Sequence, residues 1–96
     1  MLKAYSLPNP VVPGLAPRLA IQAQGRASGL EIRAYSKNLV QALDLRLAFS
    51  LQRGWNTSPA LDLRQLPTGV SFLRVRAFTA NGQAGNWLLV PVVILR

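Results

Sequence analysis

Apolar and polar residues alternate with a period of two along much of the chain. In residues 43–52, four leucines and a phenylalanine fall on one face, and Asp, Arg, Ala, Ser and Gln fall on the other. Successive side chains of a strand point to opposite faces, whereas an amphipathic helix repeats its apolar positions every three or four residues. The pattern therefore predicts strands, at 18–24, 30–35, 43–52, 61–64, 71–79 and 87–95.

Turn-forming residues separate these stretches. Glycine, proline, serine and asparagine mark turns or loops at 25–29, 36–38, 53–59, 66–69 and 81–82. Short alternating strands joined by such turns, without helical periodicity, are typical of antiparallel sheets. We therefore expect an all-β fold, an antiparallel two-sheet β-sandwich of about seven strands, in which 3–7 or 38–41 supplies the seventh.

The N-terminal region does not follow this pattern. Four of the seven prolines lie within residues 7–17, and proline fixes φ and lacks the N–H that a helix or a central strand needs. We expect an extended, polyproline-like arm over 1–17 and a sandwich domain over 18–96. The arm either lies along its own domain or reaches a neighbouring subunit. Its apolar residues favour contact over free solvation; they are Leu7, Val11, Val12 and Leu15.

The last predicted strand is apolar on both faces. Its outward positions are Trp87, Leu89, Pro91, Val93 and Leu95, and its inward positions are also aliphatic. Strands with two apolar faces are normally buried on both, and a proline without an N–H places a strand at a sheet edge. We therefore expect the outward face to form a subunit interface or to be covered by the arm.

Several strand positions that face away from the core are arginine. Three of them, Arg46, Arg74 and Arg76, fall on strands that we expect to share one sheet. Such a basic face can keep the protein soluble and protect it from aggregation. It can equally dock an acidic protein partner or a polyanion, because the guanidinium group binds carboxylates and phosphates with two parallel hydrogen bonds.

Composition narrows the possible functions. The 96 residues suffice for one hydrophobic core, and 11 Lys and Arg against 3 Asp and Glu give a net charge of +8. The chain has no cysteine and no histidine, which excludes disulfides, Cys or His metal sites and catalysis by a thiol or a Ser-His-Asp triad. With three acidic residues, paired-carboxylate catalysis is not expected either. We therefore expect neither an enzyme nor a cofactor.

Membrane and nucleic-acid partners are not expected. The longest apolar run, 87–95, is about half as long as a transmembrane helix requires, and the N-terminus lacks the apolar centre of a signal peptide. The basic residues form neither a lysine cluster nor an array interleaved with aromatic residues, which are the usual signs of nucleic-acid binding.

Residues 61–87 resemble the E–F–G portion of fibronectin type III and related immunoglobulin-like modules. Those modules have a strand, a Leu-x-Pro-Gly-like corner, a second strand, a glycine-containing hairpin and a last strand. The resemblance is carried by Leu66, Pro67 and Gly69 at the corner, by Val75 and Ala77 on the inward face, and by Asn81 and Gly82 in the hairpin. It implies an immunoglobulin-like or fibronectin type III-like sandwich, an architecture that does not by itself define function.

These observations favour a structural role. We expect a non-enzymatic assembly module that docks on protein partners, as a homo-oligomer or in a larger complex, through the arm, the last strand and the basic face. A small, basic, immunoglobulin-like chain of this type suits a bacteriophage virion protein, either a capsid decoration protein or a tail or neck component, assembled in the host cytoplasm. Acidic capsid surfaces would suit its positive charge.

Two alternatives stay open. One is a recognition module for a glycan or a host-surface ligand, which would use Trp55 in the predicted 53–59 loop and the hairpin at 81–82. Trp55 otherwise serves as a cap over the end of the core. The other alternative is a binder of polyanions or nucleic acid, for which the arginines would supply the charge.

Overall fold

The structure, a computed structural model, describes residues 3–7, 11 and 16–95. The described residues form seven strands and no helix. The strands are β1 (Lys3–Leu7), β2 (Arg18–Ala23), β3 (Ala27–Ser36), β4 (Gln41–Leu51), β5 (Gly54–Thr57), β6 (Gly69–Phe78) and β7 (Leu88–Ile94).

The strands form two antiparallel sheets that pack face to face. The three-stranded sheet has the order β1-β2-β5, and the four-stranded sheet has the order β4-β3-β6-β7. β1 contacts β7, so the three-stranded sheet begins over β7, and β4 lies at the far end of the four-stranded sheet. The prediction of an all-β, antiparallel two-sheet sandwich of about seven strands is confirmed.

The core between the sheets follows from the alternation of the strands. Large side chains from both sheets are fully buried: Leu19, Ile21, Leu30, Ile32, Leu73, Val75, Val90 and Val92. Burying a side chain of this size stabilises the fold by about 1.5–3 kcal/mol. Because each strand places every second residue in this layer, the positions predicted to face inward in β3, β6 and β7 supply most of the core.

The predicted strand at 61–64 is wrong. Leu61 and Leu63 are buried, but the segment pairs with no strand. Its backbone has other partners, because the Leu61 N–H donates to the Pro17 carbonyl (2.8 Å) and the Leu66 N–H donates to the Leu63 carbonyl (3.0 Å). The alternation there comes from leucines that anchor a loop on the core.

Asp62 and Arg64 form the exposed side of this loop. Arg64 Nε and Nη2 donate to the two carboxylate oxygens of Asp62 at 2.9 and 2.8 Å, and the Arg64 backbone N–H donates to Oδ1 at 3.2 Å. These hydrogen bonds lower the pKa of Asp62 from 3.8 to about 2. The pair therefore contributes its solvent-screened stabilisation above pH 3.8 and loses it as the pH falls toward 2.

The predicted loop at 53–59 contains strand β5 instead. β5 pairs with β2, and Trp55 lies opposite Gln22. The Asn56 side chain folds back on the preceding turn, where its amide nitrogen donates to the Gln52 carbonyl (2.8 Å) and its amide oxygen accepts from the Gln52 N–H (3.0 Å). Trp55 is therefore held in a strand, not in a loop.

The N-terminal segment contacts both sheets of its own chain. β1 pairs with β2 over its full length. Farther along, the Val11 N–H donates to the Val93 carbonyl (2.7 Å), and the Leu95 N–H donates to the Val11 carbonyl (2.8 Å). Val11 is 7% exposed. The described residues of the predicted arm thus take part in the sandwich.

Candidate functional site

The outer face of the four-stranded sheet carries charged and apolar surfaces side by side. Because the strands pair in register, their outward residues form rows across the sheet. One row contains Arg46, Glu31 and Arg76, and the next contains Asp44, Arg33, Arg74 and Leu89. Charge thus occupies β4, β3 and the middle of β6, and the surface becomes apolar at β7.

Three guanidinium groups lie over the indole ring of Trp87, which immediately precedes β7. The guanidinium carbons of Arg76, Arg33 and Arg74 are 4.3, 5.2 and 5.2 Å from the ring centroid. A cation within about 6 Å of an aromatic face is attracted by the electron density of that face. Trp87 is half-buried, so it holds this arginine cluster together and offers only part of its surface to a partner.

Two carboxylates neutralise part of the charge on this face. Glu31 contacts Arg76 at 3.2 Å and Arg46 at 3.5 Å, and Asp44 lies 4.0 Å from Arg33. The Glu31 side chain is only 15% exposed, so solvent screens its ion pairs less than those of a typical surface pair. Four arginines and two carboxylates leave an excess of two positive charges here.

The predicted basic residues Arg46, Arg74 and Arg76 all lie on this face, but β3 separates the first from the other two. β3 brings Glu31 between Arg46 and Arg76. Arg46 also stacks on the ring of Phe78, with its guanidinium carbon 4.0 Å from the ring centroid. The face therefore combines arginines with aromatic and acidic neighbours, which the spacing of the arginines alone does not reveal.

An apolar strip lies beside the arginine cluster on β6 and β7. We define the strip as Val70, Phe72, Leu89, Pro91, Val93 and Leu95. Val70 lies opposite Val93, so the strip is continuous across the two strands. Leu89 is 64% exposed. Isolated apolar residues are common on protein surfaces, whereas large contiguous apolar patches are characteristic of interaction sites. The strip is therefore a candidate interaction site.

The other residues predicted as an interface have different positions. Trp87 is half-buried against the arginines, and Val11 is buried in its own chain. Leu7 is the last residue of β1, and Val12 and Leu15 lie outside the described residues.

Trp55 belongs to a separate aromatic pair on the three-stranded sheet. Its ring lies edge-on to that of Tyr5 in β1, with the centroids 5.6 Å apart. Trp55 is 55% exposed and Tyr5 is 47% exposed, whereas Ala20 on the intervening strand is 6% exposed. Tyr5 is not identified from the sequence, because only the pairing of β1 and β5 with β2 brings the two rings together.

An open cleft lies at the end of the sandwich where the β2–β3, β4–β5 and β6–β7 connections meet. Arg26 and Arg53 line it together with Ser28, Ser50 and Thr79. Its guanidinium and hydroxyl groups are the donors that an anion would require. This cleft is therefore where a polyanion would bind under that alternative.

Among the described residues, no three His, Cys, Asp or Glu side chains lie close enough together to bind a metal ion. The same part of the chain contains no helix that is long and apolar enough to cross a membrane. Comparison with protein-family models, with curated proteins and with solved structures found no match.

Proposed function

We propose that the protein is a non-enzymatic assembly module that docks through the outer face of its four-stranded sheet. The observation that carries this proposal is the apolar strip, which faces solvent next to the arginine cluster. Binding is favourable when a partner covers apolar surface, because that surface is then removed from water. Protein interfaces typically combine such a surface with aromatic residues and arginine.

The charge on this face indicates the chemistry of the partner surface. Arginine binds carboxylates with two parallel hydrogen bonds, and a net charge of +8 attracts acidic surfaces over a distance. A protein surface with an apolar patch bordered by Asp or Glu would match both the strip and the cluster. Electrostatic steering of this kind accelerates association and weakens with added salt.

The strand order supports an immunoglobulin-like or fibronectin type III-like architecture for this module. If the strands are lettered A, B, C, C′, E, F and G, the sheets are A-B-E and C′-C-F-G. In immunoglobulin-like sandwiches, strand C′ is added to the G-F-C sheet in the same way.

As the biological setting we propose a bacteriophage virion, with the protein as a capsid decoration protein or a tail or neck component. The short chain, its positive charge and the exposed strip suit a subunit that binds a larger acidic protein surface. Capsid and tail genes on both sides of its gene would support this setting. Neighbouring genes of metabolic enzymes would contradict it.

Replacing Leu89 by glutamate tests whether the apolar strip mediates association. Leu89 points outward and is 64% exposed, so the substitution adds charge to the strip without disturbing the core. We expect the wild-type protein to sediment as a species larger than the monomer. Leu89→Glu should shift it toward smaller species in sedimentation velocity, with association weakened about tenfold or more.

Trp55→Glu is the matched control, because it adds the same charge at a strand residue of similar exposure on the other sheet. It should leave association unchanged. Loss of association with Trp55→Glu but not with Leu89→Glu would assign docking to the three-stranded sheet and contradict the proposal. A wild-type protein that is monomeric at every concentration would contradict self-assembly.

A further inference from the structure

β4 ends the four-stranded sheet with an open backbone edge. It has 11 residues, it pairs with β3 on one side, and no described residue pairs with its other side. The opposite end of the sheet differs, because Val11 forms a parallel bridge to Ile94 on β7. An open edge presents a row of N–H and C=O groups and is a template for a further strand.

β4 has only part of the protection that is usual at an edge strand. It is long and carries no proline, lysine or inward-pointing charge, although Asp44 and Arg46 on its outward side are charged. Its pairing with β3 shifts register near each end but is regular over residues 43–48. Six consecutive residues are therefore in position to continue the ladder.

The inward side of β4 is only partly covered. Leu43, Leu45 and Leu47 are half-buried, whereas Leu30 and Ile32 on the neighbouring strand β3 are fully buried. The three-stranded sheet begins over β7, and its three strands reach only partly over the fourth strand of the other sheet. A strand added beside β4 would shield these leucines from water, and this burial would stabilise the associated state.

The β4 sequence is complementary to itself in one antiparallel register. When two copies of a strand pair around a two-fold axis normal to the sheet, the axis passes between two copies of the same residue. An axis at Leu45 places Asp44 opposite Arg46 of the second copy, and Arg46 opposite its Asp44. The same axis places Leu43 opposite Leu47 on the inward side.

The neighbouring registers lose this match. An axis at Asp44 places two carboxylates opposite each other, and an axis at Arg46 does the same with two guanidinium groups. Like charges directly opposite each other destabilise paired strands. An axis at Leu43 or Leu47 leaves each charge opposite an uncharged residue. The charges therefore select the register at Leu45.

Both charges are accessible to a second copy. The side chains of Arg46 and Asp44 are 61% and 57% exposed. Their ion pairs within the chain are long, at 3.5 Å to Glu31 and 4.0 Å to Arg33. A guanidinium group has five N–H donors and a carboxylate accepts several hydrogen bonds, so each can bind a second partner.

We propose that β4 pairs with β4 of a second copy of this chain, antiparallel and centred on Leu45, to form one eight-stranded sheet. This inference rests on the proposed assembly role and identifies the second copy as a partner. Two Asp44–Arg46 pairs form across the junction. The apolar strip lies at the other end of each sheet and stays free for further contacts.

Two charge-reversal variants test this register. Asp44→Arg makes positions 44 and 46 both basic, and Arg46→Asp makes both acidic. Each variant alone then opposes like charges, whereas a mixture of the two opposes arginine with aspartate at both positions. We expect each variant alone to dimerise about tenfold or more weakly than the wild type. The equimolar mixture should regain affinity, with heterodimers in excess over random pairing in native mass spectrometry.

Hydrogen exchange of the wild-type protein gives a second readout that needs no substitution. Backbone amides within 43–48 that point away from β3 should become more protected as the protein concentration rises. Amides of β3 that already pair on both sides serve as the control and should not change.

The outcomes separate this inference from the assembly role. A mixture that associates as weakly as either folded variant alone would overturn β4 pairing, as would concentration-independent exchange within 43–48. Association that neither variant alters would also overturn it but would leave the assembly role to the apolar strip. A wild-type protein that never self-associates would overturn β4 pairing, but it would leave docking of the apolar strip on a different, acidic protein in place.

Discussion

On the outer face of β3, Gly29 lies between Phe78 of β6 and Ala48 of β4. A Cβ at this position would collide with the Phe78 ring and with the Leu47 carbonyl oxygen. The edge of the ring therefore lies against the β3 backbone, and the guanidinium group of Arg46 lies over the same ring. The absence of one side chain allows the ring to take this position at the margin of the arginine cluster.

Gly29→Ala should lower the free energy of unfolding by about 1–3 kcal/mol, because the added methyl group must displace a ring and a backbone carbonyl. Denaturant unfolding measures the change. Gly25→Ala is the matched control, since a Cβ there meets no atom within 4 Å, and it should leave stability unchanged or slightly raised. Equal losses for both variants would refute the steric explanation.

At the scale of elements, the two hairpins of the four-stranded sheet use the same turn with different residues. The Gly82 N–H donates to the Thr79 carbonyl (3.0 Å) between β6 and β7, and the Leu39 N–H donates to the Ser36 carbonyl (2.8 Å) between β3 and β4. Gly82 and Leu39 both have positive φ, at 86° and 63°. This conformation is easy for glycine but costs leucine about 1–2 kcal/mol. Leu39 is 74% exposed, so burial does not offset the cost.

Leu39→Gly should therefore raise the free energy of unfolding by about 0.5–1 kcal/mol, after allowance for the greater freedom of glycine in the unfolded chain. Thermal unfolding measures the gain. Val40→Gly, at the next residue, is the control: Val40 is also exposed and has no positive φ, so this variant should lose stability. A loss for Leu39→Gly as well would show that the turn does not strain leucine.

Alternation identified the long strands because each of them places a large apolar residue in the core at every second position. It failed for β5, which has four residues and whose single large side chain, Trp55, faces outward. It also failed at 61–64, where Leu61 and Leu63 are buried without strand pairing. Period-two burial reports which side chains enter the core, and strand pairing depends on backbone partners that lie elsewhere in the chain.

The outer face of the four-stranded sheet is predictable from the sequence only in part. The outward directions of Arg46, Arg74 and Arg76 follow from alternation within their strands. Glu31 and Arg33 join this face because β3 lies between β4 and β6 in the sheet. This strand order is a property of the topology. The open edge at β4 has the same origin, because it exists only once the strand order is known.

At the scale of the whole molecule, the N-terminal segment connects the two sheets. β1 is an edge strand of the three-stranded sheet, and Val11 bonds to β7 of the four-stranded sheet. The Pro17 carbonyl then accepts the Leu61 N–H and links the segment to the loop after β5. These contacts span the sandwich from edge to edge.

Val11→Ala should lower the free energy of unfolding by about 2 kcal/mol, because Val11 is 7% exposed and loses two buried methyl groups. Val40→Ala, at an exposed valine, is the control and should have little effect. The loss should not depend on protein concentration, since the contact lies within one chain. A loss that grows on dilution would instead show that the segment is exchanged between copies.

The Val11 bridge also bears on how far a sheet built from this chain can grow. It pairs with the end of the outer edge of β7, whereas no described residue pairs with the outer edge of β4. A sheet with two open edges can add copies without end, as fibrils do, whereas a single open edge is consumed by the first partner. At the β4 end, the proposed pairing would therefore add one copy and stop, and growth beyond two copies would need contacts elsewhere on the molecule.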